Sequence, residues 1–159
     1  MKLTETPQFA QGKNVEAFLD DYFRYMGWII RQTTPHEERV LRLGDRRFIK
    51  DGEALWVEYK SGLQTHFTKN VFLETISVDS ANKPGWVYTC AADRILYACV
   101  LDQVILSFVP QRLREQIDDL KKMFKEVKTK NHQNATYDTW GVIVPLDYAM
   151  SLAHKVIYL

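Results

Sequence analysis

Hydrophobic residues recur along this chain with two periods, and the switches between them mark its elements. Over VEAFLDDYFRYMG, Phe18, Tyr22 and Met26 fall four apart and so share one helical face. Asn14 offers an N-cap oxygen and Gly27 a stop. WIIRQT then reads as a strand, and HEERVLRLGD as a loop feeding a second one. RRFIKDGEALWVEYKSG reads as a hairpin, because Asp51-Gly52 is a strong tight-turn pair between β-forming runs. A polar crossing, LQTHFTK, leads to the β-rich NVFLETISV, the loop DSANKPG, and WVYTC, a further strand candidate.

RILYACVLDQVILSFVP is almost continuously apolar, broken only at Asp102-Gln103. Its β-branched and aromatic content favours two strands and a tight turn over one buried helix. After Pro110, the residues Leu113, Ile117, Leu120, Phe124 and Val127 form a stripe at helical spacing, predicting a helix as far as Lys130. TWGVIVPL then predicts a strand and DYAMSLAHKV a short closing helix. The order implies an α/β fold, a mixed central β-sheet flanked by helices.

Composition narrows this picture only slightly. At 159 residues the chain predicts a single domain over 1–159, with its motif-bearing core at about 14–109 and a helix-strand-helix over 110–159. Lys plus Arg is 21 against 20 for Asp plus Glu, so any affinity for nucleic acid must come from local patches. Cys90 and Cys99 lie in apolar runs without CxxC spacing, which argues against a disulfide scaffold or a structural zinc. MKLTETPQFA lacks a signal-peptide core, and no run approaches the roughly 18 apolar residues of a membrane span. The expectation is a cytoplasmic, intracellular protein with no membrane partner.

One strand carries chemistry. In LWVEYKSG, alternation puts Glu58 and Lys60 on one face and Val57 and Tyr59 on the other. The pattern acid-x-Lys also occurs at Asp119 to Lys121 and Glu126 to Lys128, but both of those fall on the expected amphipathic helix, where i and i+2 share no face. Asp45 precedes Glu58 by 13 residues, and the hairpin folds it back beside that glutamate. Glu16 sits in the first turn of a helix that must pack on the same sheet, and Glu74 interrupts the run NVFLETIS. Clustered carboxylates beside a lysine suit phosphodiester hydrolysis with Mg²⁺, which binds through one or two carboxylates and keeps several waters. Lys60 would orient the attacking water or hold the phosphate, and the Tyr59 carbonyl would add a ligand. The plainer alternative is a same-face ion pair on a sheet edge.

GDRRFIKDGEALWVEYKSG resembles the core of the PD-(D/E)xK nuclease superfamily, which includes restriction endonucleases and Holliday-junction resolvases. The helix with Glu16 and YMGWIIRQ after it resemble the archaeal resolvase type. TKNVFLETISVDSANKPGWVYTCAADRILYACV is similar to phage-associated members, with an Asn-x-x-x-Glu strand and a Lys-Pro-Gly-Trp loop. Gly44 stands where the superfamily usually has proline. The resemblance implies a restriction-endonuclease-like core binding one or two Mg²⁺ or Mn²⁺ ions. Asp45 and Glu58 would be metal ligands, Lys60 the catalytic lysine and Glu16 an accessory ligand. Glu74 and Asn70 would support the site from behind. The implied partner is DNA, branched or structured as for resolvases, with linear duplex as a third option. The competing class is a nuclease-like binding module without catalysis.

Lys69, in the polar crossing, and Lys121, Lys122 and Lys125, on the expected long helix, are candidate phosphate contacts. Glu115, Asp118, Asp119 and Glu126 share that helix, and a mixed charge run is ordinarily a solvated face. Resolvase-type enzymes act as dimers, and the run from Ile95 to Val109 would supply either a homodimer interface or core.

Overall fold

The computed structural model describes residues 12–129 and 136–159. Its helices are α1 (Gly12–Tyr25), the one-turn α2 (Thr65–Thr68) and α3 (Trp86–Thr89), α4 (Pro110–Met123) and α5 (Leu146–Leu152). The strands are β1 (Ile29–Gln32), β2 (Arg46–Lys50), β3 (Glu53–Ser61), β4 (Asn70–Val78), β5 (Lys83–Pro84), β6 (Arg94–Cys99), β7 (Val104–Phe108), β8 (Glu126–Thr129), β9 (Thr139–Pro145) and β10 (Lys155–Tyr158). They form a mixed six-stranded sheet, ordered β1-β2-β3-β6-β7-β10, and a four-stranded sheet, ordered β5-β4-β9-β8. Every neighbour pair of the larger sheet is antiparallel except β3 and β6.

The larger sheet is the middle layer. Against one face, α1 buries Val15, Phe18, Leu19 and Phe23 on Phe48, Val57, Tyr59, Leu96 and Ile105. Against the other face, Ile95, Tyr97, Leu106 and Phe108 meet Val71, Leu73, Val142 and Val144 of the smaller sheet, with Leu113, Ile117 and Leu120 of α4. Alternation along β3 therefore sends Val57 and Tyr59 toward α1, and Glu58 and Lys60 toward the second layer. The β2–β3 hairpin forms at Asp51-Gly52, both with positive φ, as expected of a tight primed turn.

Several expectations need correction. Helix α1 starts at Gly12, so Asn14 lies inside its first turn instead of capping it, and Met26 is half exposed past its end. WVYTC is not a strand. The backbone N–H groups of Tyr88 and Thr89 both turn back to Gly85 O, and Val87 drops into the core. A Cβ on Gly85 would lie 2.4 Å from Glu74 O, so only glycine lets this turn press so closely on β4. HEERVLRLGD contains a π-helical turn at His36–Val40, and the polar crossing contains α2.

The long helix ends at Met123, and Phe124 is already extended. Val127 belongs to β8, whose Glu126 to Thr129 pair with β9; cross-strand bonding there overrides the helical spacing. Glu126 and Lys128 consequently also lie on a strand, and Lys125 lies off the helix. Strand location alone does not set Glu58 and Lys60 apart from that pair. The closing helix is followed by β10, antiparallel to β7, and the smaller sheet as a unit goes unforeseen in the pattern. The run from Ile95 to Phe108 is core, with Ile95, Ala98, Cys99, Ile105, Leu106 and Phe108 fully buried, so it offers no dimer interface. Among the described residues, no helix is long and apolar enough to cross a membrane.

Candidate active site

The site grows out of the register of the β2–β3 hairpin. Arg46 pairs with Val57, so both face α1, and the residues flanking them, Asp45 and Glu58, face the second layer. Strand β2 begins at Arg46 while β3 runs on to Ser61, leaving the last residues of β3 without a β2 partner. Asp45 covers that gap with its backbone and its side chain. Its N–H donates to Val57 O at 2.8 Å, and its Oδ2 accepts the Tyr59 N–H at 2.7 Å. Strand geometry puts the Tyr59 carbonyl on the same edge as its N–H, next to the Asp45 carboxylate.

Asp45, Glu58, Lys60 and Glu74 open onto one cleft of about 220 Å³, walled on its far side by Trp86. Lys60 Nζ bonds Glu58 Oε1 at 2.8 Å, with the two side chains 30% and 18% exposed, so this pair is well withdrawn from water. Glu126 and Lys128, by contrast, do not pair with each other: Glu126 takes Lys121, and Lys128 takes Asp138. Glu74 reaches the cleft from β4, across the interlayer gap. Its Oε1 accepts the Trp86 N–H at 3.3 Å, and Lys60 Nζ stands 5.8 Å from the centre of the Trp86 ring.

The cleft is electrostatically acidic at its floor. Burial pushes Glu58 above the usual carboxylate range, and Asp45 adds to this against the pull of Lys60. Burial also raises Glu74, opposed by Lys60. Burial works against the Lys60 ammonium, yet Glu58, Glu74 and Asp45 together outweigh it and hold the lysine above its ordinary value. Burial is thus the main cause for both glutamates, and the three carboxylates around Lys60 are what hold it charged. Around the mouth, Glu38, Arg39, Arg42 and Lys83 add charges of both signs.

These shifts carry a stability prediction. A carboxyl whose folded pKa is raised favours folding when protonated and costs stability once pH rises through that folded value. Glu74→Gln removes the charge and keeps the acceptor for the Trp86 N–H. The variant should therefore melt higher than wild type at pH 7 without divalent ions, and the gap should close toward about pH 4. Thermal denaturation across that range checks this; a variant that melts lower at pH 7 would refute the burial cost on the Glu74 carboxylate.

The other sequence-derived residues scatter. Glu16 is in the neighbourhood but turns to the α1 face, 3.7 Å from an Arg46 nitrogen, and it does not line the cleft; burial, then Asp45, raises its pKa. Asn70 opens instead onto a neighbouring chamber. Lys69 bonds Asp102 at 3.0 Å, and Lys121 is held by the Tyr88 hydroxyl at 3.0 Å and by Glu126. Lys122 and Lys125 are exposed.

Sequence reasoning missed the support behind the site. Arg46 Nε donates to both oxygens of Asp20, at 3.0 and 3.2 Å, and Arg46 Nη1 donates to Asp45 O at 3.0 Å. The Tyr59 hydroxyl completes the group on Asp20 Oδ1 at 2.9 Å. Asp20 lies four residues after Glu16 on the same helix, and the cue available was its place beside the apolar stripe. Trp86 ends the Lys-Pro-Gly-Trp loop, and neither its place at the cleft nor those of Glu38, Arg39 and Arg42 leave a signal in the sequence pattern.

The donor set suits a hard divalent cation that keeps most of its own water. Asp45 Oδ1 and Glu58 Oε2 have no protein partner among the described residues, and both belong to groups that open on the cleft. No three Asp, Glu, His or Cys side chains among the described residues form a ready-made metal cage. Two carboxylates are the kind of partial shell Mg²⁺ takes, whereas Ca²⁺ or Zn²⁺ sites draw on fuller protein sets; Tyr59, whose carbonyl was expected to add a ligand, does not line the cleft. Compared with protein-family models, with curated proteins and with solved structures, the chain finds no match.

Proposed function

We propose that this chain is a Mg²⁺-dependent deoxyribonuclease with a restriction-endonuclease-like core, hydrolysing phosphodiester bonds in branched or structured DNA. The observation that carries the reading is the convergence of Asp45, just before β2, with Glu58 and Lys60 of β3 on one half-buried cleft. An ordinary ion pair on a sheet edge would require neither that burial nor a second carboxylate fixed beside it.

Asp45 and Glu58 would hold the ion, which supplies a bound water of lowered pKa and neutralises charge on the phosphate. Lys60 stays protonated in this acidic setting, so its role is that of a donor and point charge toward a phosphate oxygen or the attacking water. Glu74, on the opposite layer, balances Lys60 and fixes the Trp86 wall through the backbone N–H. Arg39, Arg42 and Lys83 at the mouth provide cations for the flanking phosphates.

The deciding experiment incubates the protein with four-way, flap and linear DNA in Mg²⁺ or Mn²⁺. Cutting of the branched substrates ahead of the linear one supports the proposal. Absence of any cutting, together with DNA binding, would favour a nuclease-like binding module instead.

A further inference from the structure

We propose that a second chamber beside the carboxylate cleft receives one unpaired nucleobase of the strand being cut; this rests on the nuclease reading. The chamber measures about 550 Å³ and shares Lys60, Glu74 and Trp86 with the cleft, so the two open on either side of one wall. That volume falls within the range of small-ligand sites, enough for a base with its sugar and far too small for a duplex.

The two spaces differ in chemistry. The cleft is lined by eight charged side chains, Glu38, Arg39, Arg42, Asp45, Glu58, Lys60, Glu74 and Lys83. The chamber has none beyond the shared Lys60 and Glu74. Its walls carry the aromatic rings of Phe72, Trp86 and Tyr97. An ion and a phosphate fit the first space, and a neutral, flat, aromatic group fits the second. A nucleotide is a molecule with those two ends, and Lys60 stands where they would join.

The polar groups in the chamber suit the edge of a base. Asn70 uses only its backbone within the protein, exchanging hydrogen bonds with the Thr68 hydroxyl. Its side-chain amide, which offers both a donor and an acceptor, is left to the chamber. Aromatic faces with a few hydrogen-bonding groups at the rim are how proteins hold unstacked bases. The substrate class follows: DNA with an unpaired nucleotide at the cut, as at a flap, a bulge or an open junction.

The test compares two flap oligonucleotides, one with a normal nucleotide and one with an abasic nucleotide at the cut position. Binding is measured in Ca²⁺ and cutting in Mg²⁺, for wild type, Phe72→Leu and Asn70→Ala. The base-bearing strand should bind and be cut about tenfold better than the abasic one, and both variants should shrink that ratio toward one. Equal handling of the two strands by a wild-type protein that cuts would overturn the base chamber and leave the nuclease reading standing. Base-dependent binding that needs Phe72 and Asn70, with no cutting in Mg²⁺ or Mn²⁺, would sink the nuclease reading and keep the chamber. Base-independent binding, or no binding, with no cutting of either strand in Mg²⁺ or Mn²⁺ would remove both. Should Phe72→Leu fail to fold, the Asn70→Ala ratio decides.

Discussion

Lys60→Ala should lower the cutting rate at saturating DNA by about 100- to 1000-fold, the usual cost of losing one charged or polar group aimed at a developing oxyanion. DNA affinity should change far less, because one phosphate contact among many is lost. The contrast matters because Lys60 also pairs with Glu58, and a purely structural pair would fail differently. In that case the variant would unfold more easily and cut at the wild-type rate once stabilised. Single-turnover cutting in Mg²⁺ with binding in Ca²⁺ separates the outcomes. Cutting of every substrate at the wild-type rate by Lys60→Ala would reduce LWVEYKSG to an ordinary ion pair on a strand.

Asp20→Ala should be the most damaging single change to stability. It leaves the Arg46 guanidinium, 7% exposed, with the Asp45 carbonyl and a Glu16 oxygen 3.7 Å away, its two hydrogen bonds to Asp20 gone and the Tyr59 hydroxyl deprived of that partner as well. Removing one partner of a buried pair costs roughly 3–5 kcal/mol, a large share of the 5–15 kcal/mol by which domains are ordinarily stable. Replacing the pair with apolar residues, as in Asp20→Leu with Arg46→Met, should restore most of that loss. Denaturant unfolding of the three proteins checks this, and a loss below about 1 kcal/mol for Asp20→Ala would mean that water already reaches the pair.

Local signals were legible where they agreed with long-range pairing. Asp51-Gly52 demanded a tight turn, so the hairpin and the return of Asp45 to Glu58 could be read directly. Asp102-Gln103 likewise split the apolar run into β6 and β7, with Gln103 at positive φ. The failures arose where packing overruled local preference. Phe124 and Val127 keep helical spacing after Leu120, but β9 offers the chain a ladder from Glu126 onward. Trp86 to Thr89 are strand formers, yet Gly85 sits so tightly on Glu74 that the chain must curl. Within the site, Glu58 and Lys60 followed from alternation alone. Arg46 and Asp20 did not, because a buried ion pair 26 residues apart leaves no periodic trace.

The Asp45 carboxylate takes a hydrogen bond that a neighbouring strand would otherwise have taken from Tyr59. One of its oxygens is thereby committed to the backbone, and the direction of the other follows from it. A ligand arriving at the free oxygen meets a side chain already fixed in one rotamer. The entropy of fixing that rotamer, on the order of 0.5–1 kcal/mol, is spent during folding and does not weaken binding. On the nuclease reading, losing this hydrogen bond would loosen the grip on a cation without removing a single ligand atom.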